Sequence, residues 1–313
     1  MGSALDSDAL IALRRLRRHL TIWRLLAIVG FACAILVSVK DIGVLSQEDH
    51  VARIALEGVI VEDRAFLDML DAINDDATAK AVIVEISSPG GTFTGGEALY
   101  NALRRISANK PIVGVMGGIA TSGAYMAAIA TDRIYAGHGT ITGSVGVIMQ
   151  SADVTGLMDK IGVKPEILKS GALKATPNPM EELTVPARGQ LQSIIDALHL
   201  RFMEMVAERR GLSVAQVRER TGDGRIMIGG AALDAGLVDA IGDINTARAW
   251  LQVTHDVSVD LPLIEWEPED PMAWWRDGAS SMASSIFGKS LWSERLGLDG
   301  IQALWHPSMS EGQ

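Results

Sequence analysis

Short apolar runs alternate along the chain with stretches of helical periodicity, beginning at Val51. Four segments rich in β-branched residues predict strands: VARIALEGVI, AVIVEIS, PIVGVM and DRIYAG. Helices are predicted between them, over residues 65–73, 95–106 and 123–130. Strands that alternate with helices at this spacing form a mainly parallel sheet with helices packed on it. The predicted fold class is therefore α/β.

Two further helices are predicted in the second half of the chain. The longer covers residues 187–210, and its apolar side chains at helical spacing predict a face that lies in the core: Leu191, Ile194, Ile195, Leu198, Phe202 and Val206. The shorter lies between two glycine turns in GRIMIGGAALDAGLVDAIGD, residues 224–243.

The segment LTIWRLLAIVGFACAILVSV is apolar over roughly the 30 Å of a bilayer's hydrocarbon core. Arginines precede it and acidic residues follow, so the positive-inside rule places its N-terminal side in the cytoplasm. We expect a basic cytoplasmic N-terminus over residues 1–19, a transmembrane anchor over 20–40 and a polar linker over 41–50. A cleaved secretory signal ending near Ala32-Cys33-Ala34 is the alternative, although the apolar run continues beyond these residues.

Composition narrows the function classes. The chain has 313 residues, a formal net charge of -10 and a single cysteine. An acidic chain without a basic cluster after residue 40 argues against nucleic-acid binding. No cofactor or metal site is predicted. The Trp- and Ser-rich residues 256–313 are interpreted as a flexible tail or as a membrane- or partner-docking segment.

Two glycine-containing turns are candidates for chemistry. In SSPGGTFTGG, Gly90 and Gly91 allow consecutive N–H groups to face one concavity, which suits an oxyanion; an ordinary tight turn is the alternative. In GGIATSGAYMAAIA, Ser122 stands where a strand passes into a helix, which can expose its hydroxyl as a nucleophile. A helix-capping serine is the alternative there.

A serine nucleophile needs a base. His138 in AGHGTITGSVG is one candidate, and Lys169 and Lys174 in LKSGALKATPNPM are the others. A solvated lysine has a pKa of about 10.4 and is neutral in roughly one molecule per thousand near neutral pH, so a lysine base requires burial. The residues around Lys174 carry no charge, which predicts such a pocket.

Five segments, read in order, resemble the signal peptide peptidase SppA family of Ser-Lys membrane proteases, peptidase family S49. They are SSPGG, IATSGAYMAA, GTITGSVGVIMQSAD, KSGALKATPNPM and GRIMIGGAALDAGLVDAIGD, within about residues 51–250. The resemblance implies that Ser122 is the nucleophile, that Lys174 is the general base and that Ser144 orients the lysine. It also implies an oxyanion hole made by the N–H groups of Gly91 and Gly123.

The resemblance further implies a ClpP/crotonase-like fold of repeated ββα units, with the peptidase domain over residues 51–255. It implies a ring-like homo-oligomer in which the lysine can reach the serine across a subunit boundary. The expected location is the bacterial inner membrane, with the catalytic domain outside the cytoplasm and residual signal peptides or other extended apolar peptides as substrates. Ala124 and Ala175 depart from the residues common in the family at these positions.

Three other functions stay open on the sequence. The first is a Ser-His peptidase of the same fold that uses His138 as its base. The second is a crotonase-type acyl-CoA enzyme, which has a paired-amide oxyanion hole but no serine nucleophile. The third is a membrane-tethered scaffold without catalytic activity.

Overall fold

The computed structural model of the protein describes residues 23–25, 27–30, 48–268 and 301–304. The chain divides into two compact units, residues 1–48 and 49–313. In the first unit, residues 23–25 and 27–30 are helical. The rest of the predicted anchor, the N-terminus over 1–19 and the alternative cleavage site lie outside the described residues. Within the part of the chain that is described, no helix has both the length and the apolar character to cross a membrane.

The described residues of the second unit form a ten-stranded sheet and the helices that pack on it. The strands are β1 (His50–Ile60), β2 (Ala79–Thr92), β3 (Ile112–Thr121), β4 (Arg133–Ala136), β5 (Ile141–Gly143), β6 (Ile148–Met149), β7 (Ile226–Ile228), β8 (Ala240–Ile241), β9 (Leu263–Trp266) and β10 (Ile301–Leu304). The helices are α1 (Arg64–Asp75), α2 (Phe93–Ser107), α3 (Gly123–Ile129), α4 (Thr155–Ile161), α5 (Val185–Arg210), α6 (Val214–Thr221), α7 (Gly229–Asp234) and α8 (Ile244–His255).

The sheet is mainly parallel, as predicted. Its longest path runs β6-β10-β2-β3-β4-β8, with β1 and β9 joined through β2 and with β5 and β7 joined through β3. Pairs among β1, β2, β3, β4, β5, β8 and β9 are parallel, whereas β7 and β10 pair antiparallel with their neighbours. Alternating strands and helices therefore predict the α/β class correctly.

Helices cover both faces of the sheet. Along β2, Val82 and Val84 belong to a core cluster that also contains buried residues of α1, α2, α3 and α5. Ile83 between them belongs to a second cluster with Ala247 and Leu251 of α8. Because successive strand residues point to opposite faces, the two clusters lie on the two sides of the sheet.

The predicted core face of α5 is right for only part of the helix. Phe202 and Val206, in its C-terminal part, are fully buried. Leu191, Ile194 and Ile195, nearer its start, are only partly buried. From residue 146 to residue 201 the sole buried residue is Ala187, so this segment stands largely outside the core.

Two strands extend beyond their predicted ends. β2 continues through Pro89 to Thr92, so the tight-turn interpretation of Gly90 and Gly91 is wrong. A proline is tolerated there because the β2–β3 pairing is irregular between Ile86 and Ser88, and bulges accommodate a residue without an N–H group. β3 likewise continues through Gly117 and Gly118 to Thr121.

The predicted tail contributes to the sheet. β9 pairs in parallel with β1 from Val51 to Ile54. β10 pairs with β2 and β6. The predicted end of the domain at residue 255 is therefore too early. Within residues 224–243, the predicted helix is the short α7, flanked by β7 and β8.

Candidate active site

Ser122 occupies a strained turn between β3 and α3. Its backbone angles, a φ of 55° and a ψ of -120°, lie in a region where residues other than glycine rarely occur. The Ser122 N–H donates to the carbonyl of Gly143 at 2.9 Å, and its own carbonyl accepts from the N–H of Met126 at 3.1 Å. These bonds hold the residue at the sharp strand-to-helix turn that the sequence predicts.

The hydroxyl of Ser122 has no structural task within the described residues. The side chain makes no capping hydrogen bond to α3, so the helix-cap interpretation is wrong. The residue is only 1% exposed, so the expected exposure of its hydroxyl is wrong for a single copy of the chain. Most buried hydroxyls are hydrogen-bonded to protein groups or to ordered water, so an unused hydroxyl on a strained, buried serine is unusual.

Three other buried hydroxyls fasten the strand ends around this serine. Thr121 Oγ1 donates to the carbonyl of Pro89 at 2.9 Å. Thr142 Oγ1 donates to the carbonyl of Ala120 at 2.7 Å. Ser88 Oγ donates to the carbonyl of Gly58 at 2.6 Å. Sequence reasoning missed these groups; the available signal was a hydroxyl residue within or directly after an apolar strand.

Ser144 lies beside Ser122. It directly follows Gly143, whose carbonyl accepts the Ser122 N–H. Ser144 has a φ of 53°, and its own N–H donates to the carbonyl of Arg225 at 2.9 Å. The structure therefore brings together the two serines that the family resemblance selects.

The two predicted oxyanion glycines flank the same turn. Gly123 follows Ser122 directly and begins α3. Gly91 lies two residues beyond Pro89, whose carbonyl is bonded to Thr121. A Cβ at Gly91 would stand 1.7 Å from the carbonyl oxygen of Ile60, so only glycine fits there. The close approach of β1 explains this glycine independently of any catalytic role.

Lys174 is solvent-exposed in the connection between α4 and α5. Its backbone N–H donates to Gly171, and within the described residues its ammonium group makes no hydrogen bond or ion pair. The predicted apolar enclosure of Lys174 is therefore wrong for a single copy of the chain. The other candidate, Lys169, forms an ion pair with Glu181. Of the two lysines, only Lys174 is free for another task.

Other candidate chemistry is not assembled in the described part of the chain. His138 is exposed in the turn before β5, whereas Ser122 is bonded to the last residue of that strand. At about 3.3 Å per residue, the two intervals of β5 span about 7 Å. Among the described residues no hydrogen bond joins His138 to Ser122. Among the residues described, no cluster of three or more His, Cys, Asp or Glu side chains could hold a metal ion.

Polar side-chain contacts hold α3, the helix that follows the serine. Arg209 donates to the carbonyls of Ile129 and Thr131 at 2.8 and 3.0 Å, which satisfies the C-terminal end of α3. The hydroxyl of Tyr125 donates to the carbonyl of Leu237 at 2.8 Å. Burial raises the pKa of Tyr125, so its hydroxyl stays a neutral donor. α3 is thus held at Tyr125 and at its C-terminal end.

Two family models match the chain. Peptidase family S49 matches residues 104–258, and Clp protease matches residues 44–162. The first match contains Ser122, Ser144 and Lys174, and the second contains the strand ends around Gly91.

Three relatives illustrate the similarity. A candidate protease of Synechocystis is 36% identical over 66% of this chain and 74% of its own. A candidate signal peptide peptidase SppA of Enterococcus faecium is 34% identical over 64% of this chain and 58% of its own. Protease 4 of Haemophilus influenzae is 30% identical over 71% of this chain, which spans 38% of that longer protein. The chain therefore belongs to peptidase family S49, and its α/β domain has the ClpP-like fold.

Proposed function

We propose that the protein is a serine endopeptidase in which Ser122 attacks the carbonyl carbon of a peptide bond. The observation that carries this proposal is the backbone of Ser122, held at a φ of 55°, with a hydroxyl that does not cap α3 and has no hydrogen bond to the described residues. Strain of about 1–3 kcal/mol persists at a residue only where the surrounding structure imposes it, and it clusters at functional sites.

In the proposed reaction, the uncharged amine of Lys174 removes the proton of Ser122 as the serine oxygen bonds to the peptide carbon. The negative charge on the tetrahedral oxygen is stabilised by the N–H groups of Gly91 and Gly123. The lysine then gives its proton to the leaving amine, and the carbon–nitrogen bond breaks. Water repeats the sequence on the resulting ester, which releases the acid and restores the serine. Ser144 orients the lysine.

A second copy of the chain is proposed to enclose Lys174. The exposed segment 146–201, here called the arm, carries the lysine and many apolar side chains without cover. Within the arm α4 has no buried residue, and Ile161, Leu168 and Val185 are 65%, 92% and 85% exposed. Exposed apolar surface of this kind marks interfaces. A neighbouring subunit that covered the arm would also desolvate the amine, as a lysine base requires.

The proposed location and substrates follow from the sequence pattern. Residues 20–40 would anchor the protein in the bacterial inner membrane with its N-terminus in the cytoplasm. The peptidase domain would then face the far side, where signal peptides are released into the membrane. Fractionation of cells that express the chain with and without residues 20–40 tests the anchor, because only the intact chain should sediment with membranes.

Alanine variants test the chemistry on a fluorogenic apolar peptide. Ser122→Ala and Lys174→Ala should each lower kcat/KM by at least about a thousandfold, since both groups act in one proton-transfer unit. Lys164→Ala removes another exposed lysine of the arm and is the matched control, with activity expected within about twofold. Activity that survived Lys174→Ala but not His138→Ala would instead support the Ser-His mechanism.

Mixing two inactive variants tests the subunit boundary. If serine and lysine act from different copies, co-assembled Ser122→Ala and Lys174→Ala chains form some complete sites. Random mixing in a ring gives about one quarter of the wild-type activity, because each site draws each partner independently. No recovery in a verified mixed oligomer would place both residues in one subunit. A serine-reactive phosphonate that failed to label Ser122 would favour the scaffold alternative.

A further inference from the structure

The strand β10 lies directly beyond the end of β3. β3 pairs with β2 as far as Ser88 and with β5 as far as Gly143. Past these positions β3 turns into Ser122 and α3, while β2 runs on to Thr92. β10 fills the place beside β2 that β3 has left.

The pairing of β10 puts it on the edge of β2 next to the serine. Ala303 lies opposite Gly91. On the other edge of β2, Ile60 of β1 already pairs with the same glycine. β10 therefore uses the edge that faces the end of β3, where Ser122 stands. On its far side β10 pairs antiparallel with β6, so both of its edges are hydrogen-bonded within the sheet.

The direction of β10 relates it to the reaction. Because it is antiparallel to β2, its Leu304 lies opposite Gly90 and its Gln302 opposite Thr92. The C-terminal end of β10 thus points toward Ser122. Consider a substrate strand that is antiparallel to β2, as β10 is. The residues that precede its cleaved bond would pair with this edge of β2. Addition of an extended peptide to an open strand edge is a common mode of peptide recognition.

We propose that residues 301–304 are a built-in competitor for the peptide-binding edge of β2. The inference rests on the proposed function in one respect, namely that the substrate binds to this edge of β2. The segment is tethered to the domain through β9, which gives it an effective concentration on the order of millimolar near the edge. A free peptide must displace this strand before it can bind, so the tail raises the apparent KM without altering the chemical step.

Two adjacent prolines in β10 test this arrangement. Neighbouring N–H groups of a strand point to opposite sides, so Gln302→Pro with Ala303→Pro removes one donor toward each flanking strand. Ser310→Pro, which places a proline in the same tail outside β10, is the matched control. Intact mass verifies that the tail is present in every sample.

Two measurements read out the displacement. In the peptidase assay, the double-proline chain should show a KM at least about threefold lower than wild type, with kcat unchanged and with Ser310→Pro at the wild-type value. In the second assay, each tail is placed on the inactive Ser122→Ala background. A fluorescent peptide with the sequence of residues 297–308 should bind at least about threefold more tightly to the double-proline chain.

The binding assay does not depend on catalysis. If no variant cleaves peptide but the labelled peptide binds preferentially to the double-proline chain, the proposed function fails and the competitor stands. Equal peptide affinity and equal KM with and without the prolines would overturn the competitor, whatever the activity of Ser122.

Discussion

Replacement of Ser122 by glycine should stabilise the protein relative to replacement by alanine. Both changes remove the hydroxyl, but only alanine keeps a Cβ at a φ of 55° and a ψ of -120°. Strain of this kind costs about 1–3 kcal/mol in a residue other than glycine. Glycine's greater freedom in the unfolded chain offsets about 0.4–1 kcal/mol of that relief.

The expected net result is that Ser122→Gly unfolds with a free energy about 1 kcal/mol higher than Ser122→Ala. In a domain of this size, that difference raises Tm by about 2–4 °C. Thermal and urea unfolding followed by circular dichroism would measure it, at one protein concentration because association also affects Tm. Neither variant should cleave peptide, because both lack the serine hydroxyl.

The control is an exposed position with ordinary helical geometry. Ala72 lies within α1 and is exposed. There glycine should be about 1 kcal/mol less stable than alanine, since the helix gives it no compensating relief. Replacing alanine by glycine should therefore raise the free energy of unfolding at position 122 and lower it at position 72. If Ser122→Gly were no more stable than Ser122→Ala, the serine would not be strained and the main support for its catalytic role would be lost.

Two further predictions concern the frame of the site. Gly91→Ala forces a Cβ to within 1.7 Å of the Ile60 carbonyl oxygen; it should cost about 3 kcal/mol or more in urea unfolding, whereas Gly118→Ala, with open space around it, should stay within about 0.5 kcal/mol. Equal costs would contradict the close contact. Burial alone would raise the pKa of Asp76, but hydrogen bonds from Thr78 outweigh it and lower the pKa below 3.8. A lowered folded-state pKa stabilises the protein above the unfolded-state value and loses that effect as the pH falls through the folded one. Wild type should therefore unfold with a higher free energy than Asp76→Asn at pH 7, and this difference should shrink below about pH 3.8. A difference that did not change with pH would refute the lowered pKa of Asp76.

Local pattern in the sequence predicted most elements of the fold. β-branched runs and helical spacing located β1, α1, α2 and α3 within a few residues of their observed bounds. The same pattern placed Ser122 at a strand-to-helix turn. These features depend on neighbours within a few positions along the chain, where periodicity and glycine content carry the information.

The sequence was a poorer guide where distant segments meet. Pro89 and two glycines suggest the end of a strand, but Ser88 bonds to Gly58 of β1 and keeps β2 extended to Thr92. An uncharged sequence around Lys174 suggests a dry pocket, yet in the described part of the chain this lysine is exposed and the arm that carries it is largely uncovered. Burial of a segment depends on which distant residues pack against it, and the residues next to it along the chain do not predict those contacts.

Sequence alone determined the α/β class, the position of the serine at its turn and the family motifs that select Lys174 and Ser144. Tertiary structure decided the strain at Ser122, the contact that only Gly91 allows and the exposure of the lysine. It also paired β10 with the end of β2, although about 200 residues separate these strands along the chain. The physical reason is that periodicity is a short-range property, whereas strand pairing and solvent exclusion join groups from distant parts of the sequence.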